Sequence, residues 1–294
     1  MRSEPGQSTV EWVALLALVG SLLAITLLSV GARLPGAVLA TSIASRLICA
    51  AQLASCEDSA DAALVAEYGE QTATLVRRYA PELQYEPGSQ AVPVDFRRCR
   101  SSICGDGRRS GPIVQTDTGE PVTAFTHVVR RSGSTYIQYW LYYADSATLR
   151  GVPIAGPKGF HKDDWESAQI RIGPGGRGVE MRASSHHGYG GGDGAAGWAA
   201  DAGYAHPSGW KPDRGKVSVA GGSHANIAAD PPSLIRRLHR AAGEGKQPYR
   251  WTPKSRLRLV PIENLAHSCE LKEFAISPPW CKKVYTDPEY AGTD

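Results

Sequence analysis

The pattern of apolar and polar positions changes character twice along the chain. Residues 12–30 form a run of 19 uncharged, mostly apolar residues from Trp12 to Val30. At the helical rise this run reaches about 28 Å, close to the hydrocarbon thickness of a bilayer, and so predicts one membrane-spanning helix. Arg2, Glu4 and Glu11 precede it and Arg33 follows it. The stretch Ala37-Val38-Leu39-Ala40 keeps signal-peptide cleavage open as the alternative. Beyond an Ala/Ser-rich segment, residues 57–79 carry apolar side chains at helical spacing (Ala63, Leu64, Ala66, Leu75, Val76) until Pro81 ends the helix. From there the pattern turns extended. It predicts strands over 91–96, 122–131 and 135–143, the last two joined by a hairpin-like turn at Ser132-Gly133-Ser134. Residues 165–172 and 178–185 read as partner strands around Gly173-Pro174-Gly175-Gly176. Residues 188–212 form a glycine-rich loop too long for a simple connector. Strands follow over 216–220 and 256–262, the latter with Leu257 and Leu259 inward. Between them Asp230-Pro231-Pro232 caps a helix over 233–242 whose inner face is Leu234, Ile235 and Leu238. The tail 277–294, with Pro278, Pro279 and Pro288, reads as irregular. No internal repeat is present.

Composition sharpens this picture. The chain has 294 residues, with 32 Gly and 20 Pro, which favours a loop-rich, mainly β fold over a helical bundle. The expected organisation is an anchor over 1–33, a linker and helix over 34–80, and a β domain over 81–294. A formal net charge of +3 without a long basic run gives no footprint for nucleic acid. The 6 cysteines fall in close pairs, Cys49 with Cys56, Cys99 with Cys104, and Cys269 with Cys281. Such pairs suit three short-loop disulfides in an oxidising compartment, and their spacing is not that of a zinc site. Six unrelated thiols are the alternative. The opening Gly6-Gln7-Ser8-Thr9-Val10-Glu11 resembles the class III signal of type IV pilins and TadE-type pseudopilins. That resemblance implies processing after Gly6, a role for Glu11 at the helix start, and a domain on the extracytoplasmic side of a cell membrane.

The richest chemistry lies in Phe160-His161-Lys162-Asp163-Asp164-Trp165-Glu166. On a strand, Asp164 and Glu166 share one face and Trp165 takes the other. Two carboxylates about 7 Å apart repel unless a cation or a proton lies between them. His161 is expected in the loop entering the strand, and Asp145 at the end of the preceding one, where hairpin pairing would bring it near Glu166. Three carboxylates and one imidazole suit a hard or borderline divalent cation: Ca²⁺ or Mg²⁺ first, Mn²⁺ next. A solvated acidic turn is the competing reading. His186 and His224 each follow a strand and are candidates for an acid or base at the same sheet edge, or for simple capping roles.

Residues 161–166 resemble the Gly-His-Arg-His-Asp-Trp-Glu heptapeptide of the necrosis- and ethylene-inducing-like proteins, secreted cytolysins that bind sphingolipid headgroups. Tyr139-Trp140-Leu141-Tyr142-Tyr143-Ala144-Asp145 and Ser184-Ser185-His186-His187-Gly188-Tyr189 resemble two further segments of that family. A sister family, related to vacuolar protein sorting protein sixty-two, is similar over Arg78-Tyr79-Ala80-Pro81-Glu82-Leu83 and Gly222-Ser223-His224-Ala225-Asn226. The resemblance covers about half of the chain. It implies a β-sandwich with peripheral helices and a metal held by Asp145, His161, Asp164 and Glu166. Phe160 and Asp163 depart from the heptapeptide, and Asp163 adds negative charge beside the expected site.

Three functions follow as expectations. The first is a membrane-anchored, extracytoplasmic, divalent-metal-binding module for a glycan or lipid headgroup, with Trp198, Tyr204 or Trp210 as stacking platforms. The second is a metal-dependent hydrolase using His186 or His224. The third is a structural pseudopilin-like component of a secretion or pilus apparatus.

Overall fold

The computed structural model describes residues 56–85, 89–108, 110–147, 160–184, 209–219, 224, 226–228, 250–266, 269 and 273–290. The expected anchor over 12–30, Gly6 and Glu11, Cys49, His186, Trp198, Tyr204 and the helix over 233–242 lie outside the described residues, as do the side chains of Cys56 and His161. Among the described residues, no helix is long and apolar enough to cross a membrane.

The chain divides between Glu67 and Tyr68. The described part of the first unit is most of helix α1, Cys56–Tyr68. The second unit opens with α2, Glu70–Arg78. One continuous helix was the expectation; Gly69, at φ 75, separates the two. Such a backbone conformation is open to glycine and costly for other residues, so the helical period continues in sequence while the hydrogen-bond ladder does not. Pro81 then leads into β1, Glu82–Tyr85.

The rest of the second unit is mainly β, in two sheets. The larger has six strands in the order β10-β2-β3-β4-β5-β6. Its spine is the meander β2 (Thr123–Arg131), β3 (Ser134–Ala147) and β4 (Phe160–Ile172). Ser132 and Gly133 both have positive φ, 50 and 76, as a type I′ two-residue turn demands, and this sets the register Arg131↔Ser134. β5 (Val179–Ala183) and the short β6 (Lys211–Pro212) extend one edge; β10 (Arg258–Pro261) runs parallel to β2 at the other. The smaller sheet has the order β8-β7-β1-β9, with β7 at Lys216–Val219, β8 at Asn226–Ile227 and β9 at Arg250–Thr252.

Three expectations shift. Residues 91–96 are extended but form no ladder: Ala91 makes an isolated bridge to Asp106, and Val94 N–H donates to Tyr142 O at 2.9 Å. β4 begins at Phe160, so His161 lies within the strand rather than in a loop before it. The tail is ordered into a 3₁₀ turn, Pro279–Cys281, and a short helix, Lys283–Thr286, that follows almost at once.

The larger sheet buries aromatic side chains on one face. Phe125, Trp140, Tyr142 and Trp165 pack with Phe96, Phe274 and Trp280, and the Val284 and Tyr285 side chains of the tail join the same core. Trp165 lies 5.0 Å from the Tyr142 ring and 5.5 Å from that of Phe96, in the tilted and edge-on arrangements that aromatic quadrupoles favour. The tail is held there by buried polar groups. Gln138 Nε2 donates to Val284 O at 2.8 Å, and the fully buried Arg182 donates to Tyr290 O at 2.8 Å. Trp210 packs in this region, its ring 4.6 Å from the guanidinium carbons of both Arg171 and Arg182. It is 4% exposed, so it is a packing residue and not an open stacking platform.

Candidate functional site

Alternation along β4 sends Asp163 and Trp165 to the aromatic face and Asp164 and Glu166 to the opposite one. The pairing Tyr143↔Asp164 and Leu141↔Glu166 puts two large β3 side chains beside the two carboxylates. Asp164 and Glu166 are 6% and 5% exposed, so the solvated acidic turn does not describe them. Burial, and next the Asp164 charge, push the Glu166 carboxyl well above the ordinary range, while the Ser184 hydroxyl that donates to it pulls the other way.

His224 reaches this pair from the loop before β8. Its Nδ1 lies 2.9 Å from Asp164 Oδ2, and its ring stacks on Tyr143 with centroids 4.0 Å apart and planes 10° from parallel. His224 is 3% exposed and has φ 54, an uncommon conformation for a non-glycine residue. With Nδ1 engaged by Asp164, its remaining ring nitrogen is Nε2. Asn226, two residues on, is fixed through its backbone N–H to Ser184 O at 2.9 Å. Among the described residues, both polar atoms of its side-chain amide are buried without a hydrogen-bond partner, as is the Tyr143 hydroxyl. Buried polar atoms normally find partners, and the Tyr143 hydroxyl, on which the Glu166 and Asp164 charges both act, lacks one among the described residues.

Of the four expected metal ligands, the described side chains are those of Asp145, Asp164 and Glu166. Asp145 pairs with Lys162, and Leu141 stands across from Glu166. Four residues separate Leu141 from Asp145, about 13 Å along an extended strand, so the hairpin does not carry Asp145 to Glu166. Asp145 instead lines a cleft of about 440 Å³, open in part to solvent, together with Ser89, Gln90, Asp106 and His224. The strand is longer than the pattern suggested, which moves its pairing partner. Asp164 and Glu166 keep their shared face; the His161 side chain is outside the described residues. Among the described residues, no group of three or more His, Cys, Asp or Glu side chains is placed to hold a metal ion. Asp164, Glu166 and the Tyr143 hydroxyl beside them offer oxygens, the donor type that a hard divalent cation takes.

Asp163 does not add its charge to this site. Its carboxylate lies on the other face, where it accepts from Arg100 at 2.9 Å, Tyr142 Oη at 2.7 Å and Ala275 N–H at 2.9 Å. Burial alone would raise this carboxyl, but the three donors outweigh it and hold it below the ordinary range. Two of the expected disulfides are formed, Cys99–Cys104 and Cys269–Cys281. Sequence reasoning reached His224 but passed over Asn226, Tyr143 and Ser184. The signal for Asn226 was its i, i+2 spacing from His224, which places both on one face of an extended segment.

No family model matches the chain, and no curated protein matches it. Among solved structures, NLPPya in complex with mannosamine is 21% identical over 42% of this chain and 55% of that chain, at a TM-score of 0.28. Necrosis and Ethylene inducing Protein 2 from the causal agent of cocoa's Witches Broom disease is 16% identical over 65% of this chain and 74% of that chain, at a TM-score of 0.34. The non-toxic HaNLP3 protein is 13% identical over 40% of this chain and 54% of that chain, at a TM-score of 0.26. The chain thus spans little more than half the length of the first of these, 55%.

Proposed function

We propose that this protein is a membrane-anchored, extracytoplasmic β-sandwich module that holds a divalent cation at Asp164 and Glu166 and uses it to recognise a glycan or lipid headgroup. The observation that carries this reading is the pair of carboxylates, Asp164 and Glu166, buried on one face of β4 beside the Tyr143 hydroxyl. Two such groups in a low-dielectric setting need a proton or a cation between them. The Tyr143 hydroxyl supplies a further oxygen donor, and a cation there would present its remaining coordination positions to hydroxyl or phosphate oxygens of a ligand. The two disulfides suit an oxidising compartment, and the apolar run over 12–30 supplies the anchor.

Thermal unfolding in EDTA and in millimolar Ca²⁺, Mg²⁺ or Mn²⁺ tests the cation. The wild type should melt higher with at least one of the three, and Asp164→Asn should lose that response. A wild type whose melting temperature ignores all three cations would end the reading. A second function has its own supporting observation: Asp164 orients the His224 imidazole toward the cleft, an arrangement able to serve a hydrolase as acid or base. Turnover of ester, phosphate or glycoside probes that His224→Gln abolishes would select it over a binding module.

A further inference from the structure

The two disulfide-closed loops converge on one side chain. Cys99–Cys104 closes the loop that carries Arg100, and Cys269–Cys281 closes the segment that carries Glu273, Phe274 and Ala275. Arg100 Nη2 donates both to Asp163 Oδ1 at 2.9 Å and to Glu273 O at 2.8 Å, and its guanidinium carbon lies 4.6 Å from the Phe274 ring centroid. Ala275 N–H takes the other carboxylate oxygen, Oδ2, at 2.9 Å. Tyr142, from the neighbouring strand, completes the set on Oδ1 at 2.7 Å. Three segments far apart in sequence therefore grip a single buried carboxylate.

The backbone at that point is unusual. Asp163 has φ 56 inside a strand, where an L residue is strained. Among the described residues, three non-glycine positions have positive φ: Ser132 in the hairpin turn, Asp163, and His224. Asp163 precedes Asp164, and His224 is the residue whose Nδ1 meets the Asp164 carboxylate at 2.9 Å. Strain of this kind persists where the surroundings over-determine it, and here the surroundings are the two cross-linked loops.

We propose that Asp163 is a positioning residue: the disulfide-closed loops hold it from the aromatic face, and the backbone twist they maintain aims Asp164, and through it His224, on the opposite face. The inference rests on Asp164 and His224 belonging to the functional site, but it does not need the cation. It makes Arg100 and both disulfides part of the site's construction although none of them faces it.

The test is imidazole NMR on the full chain with ¹⁵N-labelled histidine, the His224 signals being assigned by their loss in His224→Gln. In the wild type, the buried Nδ1 proton shared with Asp164 should exchange slowly and resonate at low field. Asp163→Asn and Arg100→Met should shift that resonance and speed its exchange by about tenfold or more, while Arg100→Lys restores it in part. Arg97→Met removes a different ion pair just before that loop, the one with Asp95, and should leave the His224 signal in place. A His224 resonance unchanged in Asp163→Asn would overturn the inference. Should that variant fail to fold, an unchanged resonance in Arg100→Met decides the same way. The cation reading fails separately, by the absence of any metal response in the wild type, whatever these variants do.

Discussion

Asp163, Asp164 and Glu166 are chemically near-identical, and their surroundings give them different tasks. Asp163 is neutralised by Arg100 and two further donors; Asp164 is engaged by His224; Glu166 is buried and, among the described residues, accepts from the Ser184 hydroxyl. At neutral pH the raised Glu166 carboxyl burdens the metal-free fold, because the unfolded chain ionises it freely. Glu166→Gln should therefore stabilise the protein in EDTA by roughly 1–3 kcal/mol in urea unfolding, while abolishing stabilisation by cation. Asp95 behaves in the opposite sense. It is 1% exposed; burial would raise its carboxyl, but Arg97 bonds to both of its oxygens and the net result lies below the ordinary range. A depressed folded-state value contributes stability that is present above the ordinary carboxylate range and lost as pH falls through the folded value. Asp95→Asn should flatten the acid limb of melting temperature against pH and cost about 1.5–3 kcal/mol at neutral pH, the loss of the charge-assisted bonds from Arg97 and Arg258.

Most of the meander was readable because its signals are local. The period-two pattern and the Ser132-Gly133 turn fall where β2 and β3 meet, and Gly173 to Gly176 fall between β4 and β5. Gly173 shows how tight that second connection is: a Cβ there would lie 2.4 Å from the Arg177 carbonyl oxygen. Gly173→Ala should displace the turn and cost about 1–3 kcal/mol, measurable as a lower urea midpoint with unchanged slope. Element ends were less legible. The length of β4 depends on pairing out to Ala147↔Phe160, and residues 91–96 stay off any ladder although their composition favours one. Both outcomes are set by which neighbour is present to accept the hydrogen bonds, and that neighbour is distant in sequence.

At the scale of the whole second unit, the tail acts as a cover for the aromatic face, tied down by Gln138, Arg182 and the Cys269–Cys281 bond. Replacing both of these cysteines by Ser should lower stability by about 2–4 kcal/mol and loosen Trp280, seen as a red-shifted tryptophan emission. The sequence by itself determined the mainly β character, the β2–β3–β4 pairing, the short disulfides and the shared face of Asp164 and Glu166, because alternation, turn chemistry and cysteine spacing act between near neighbours. Only the tertiary structure decided that Asp163 is neutralised by Arg100 and the tail segment, that Asp145 lines the cleft and pairs with Lys162, and that His224 and Tyr143 pack beside Asp164. Those facts arise from contacts between segments tens of residues apart, and no local pattern encodes which of many possible partners the folded chain brings together.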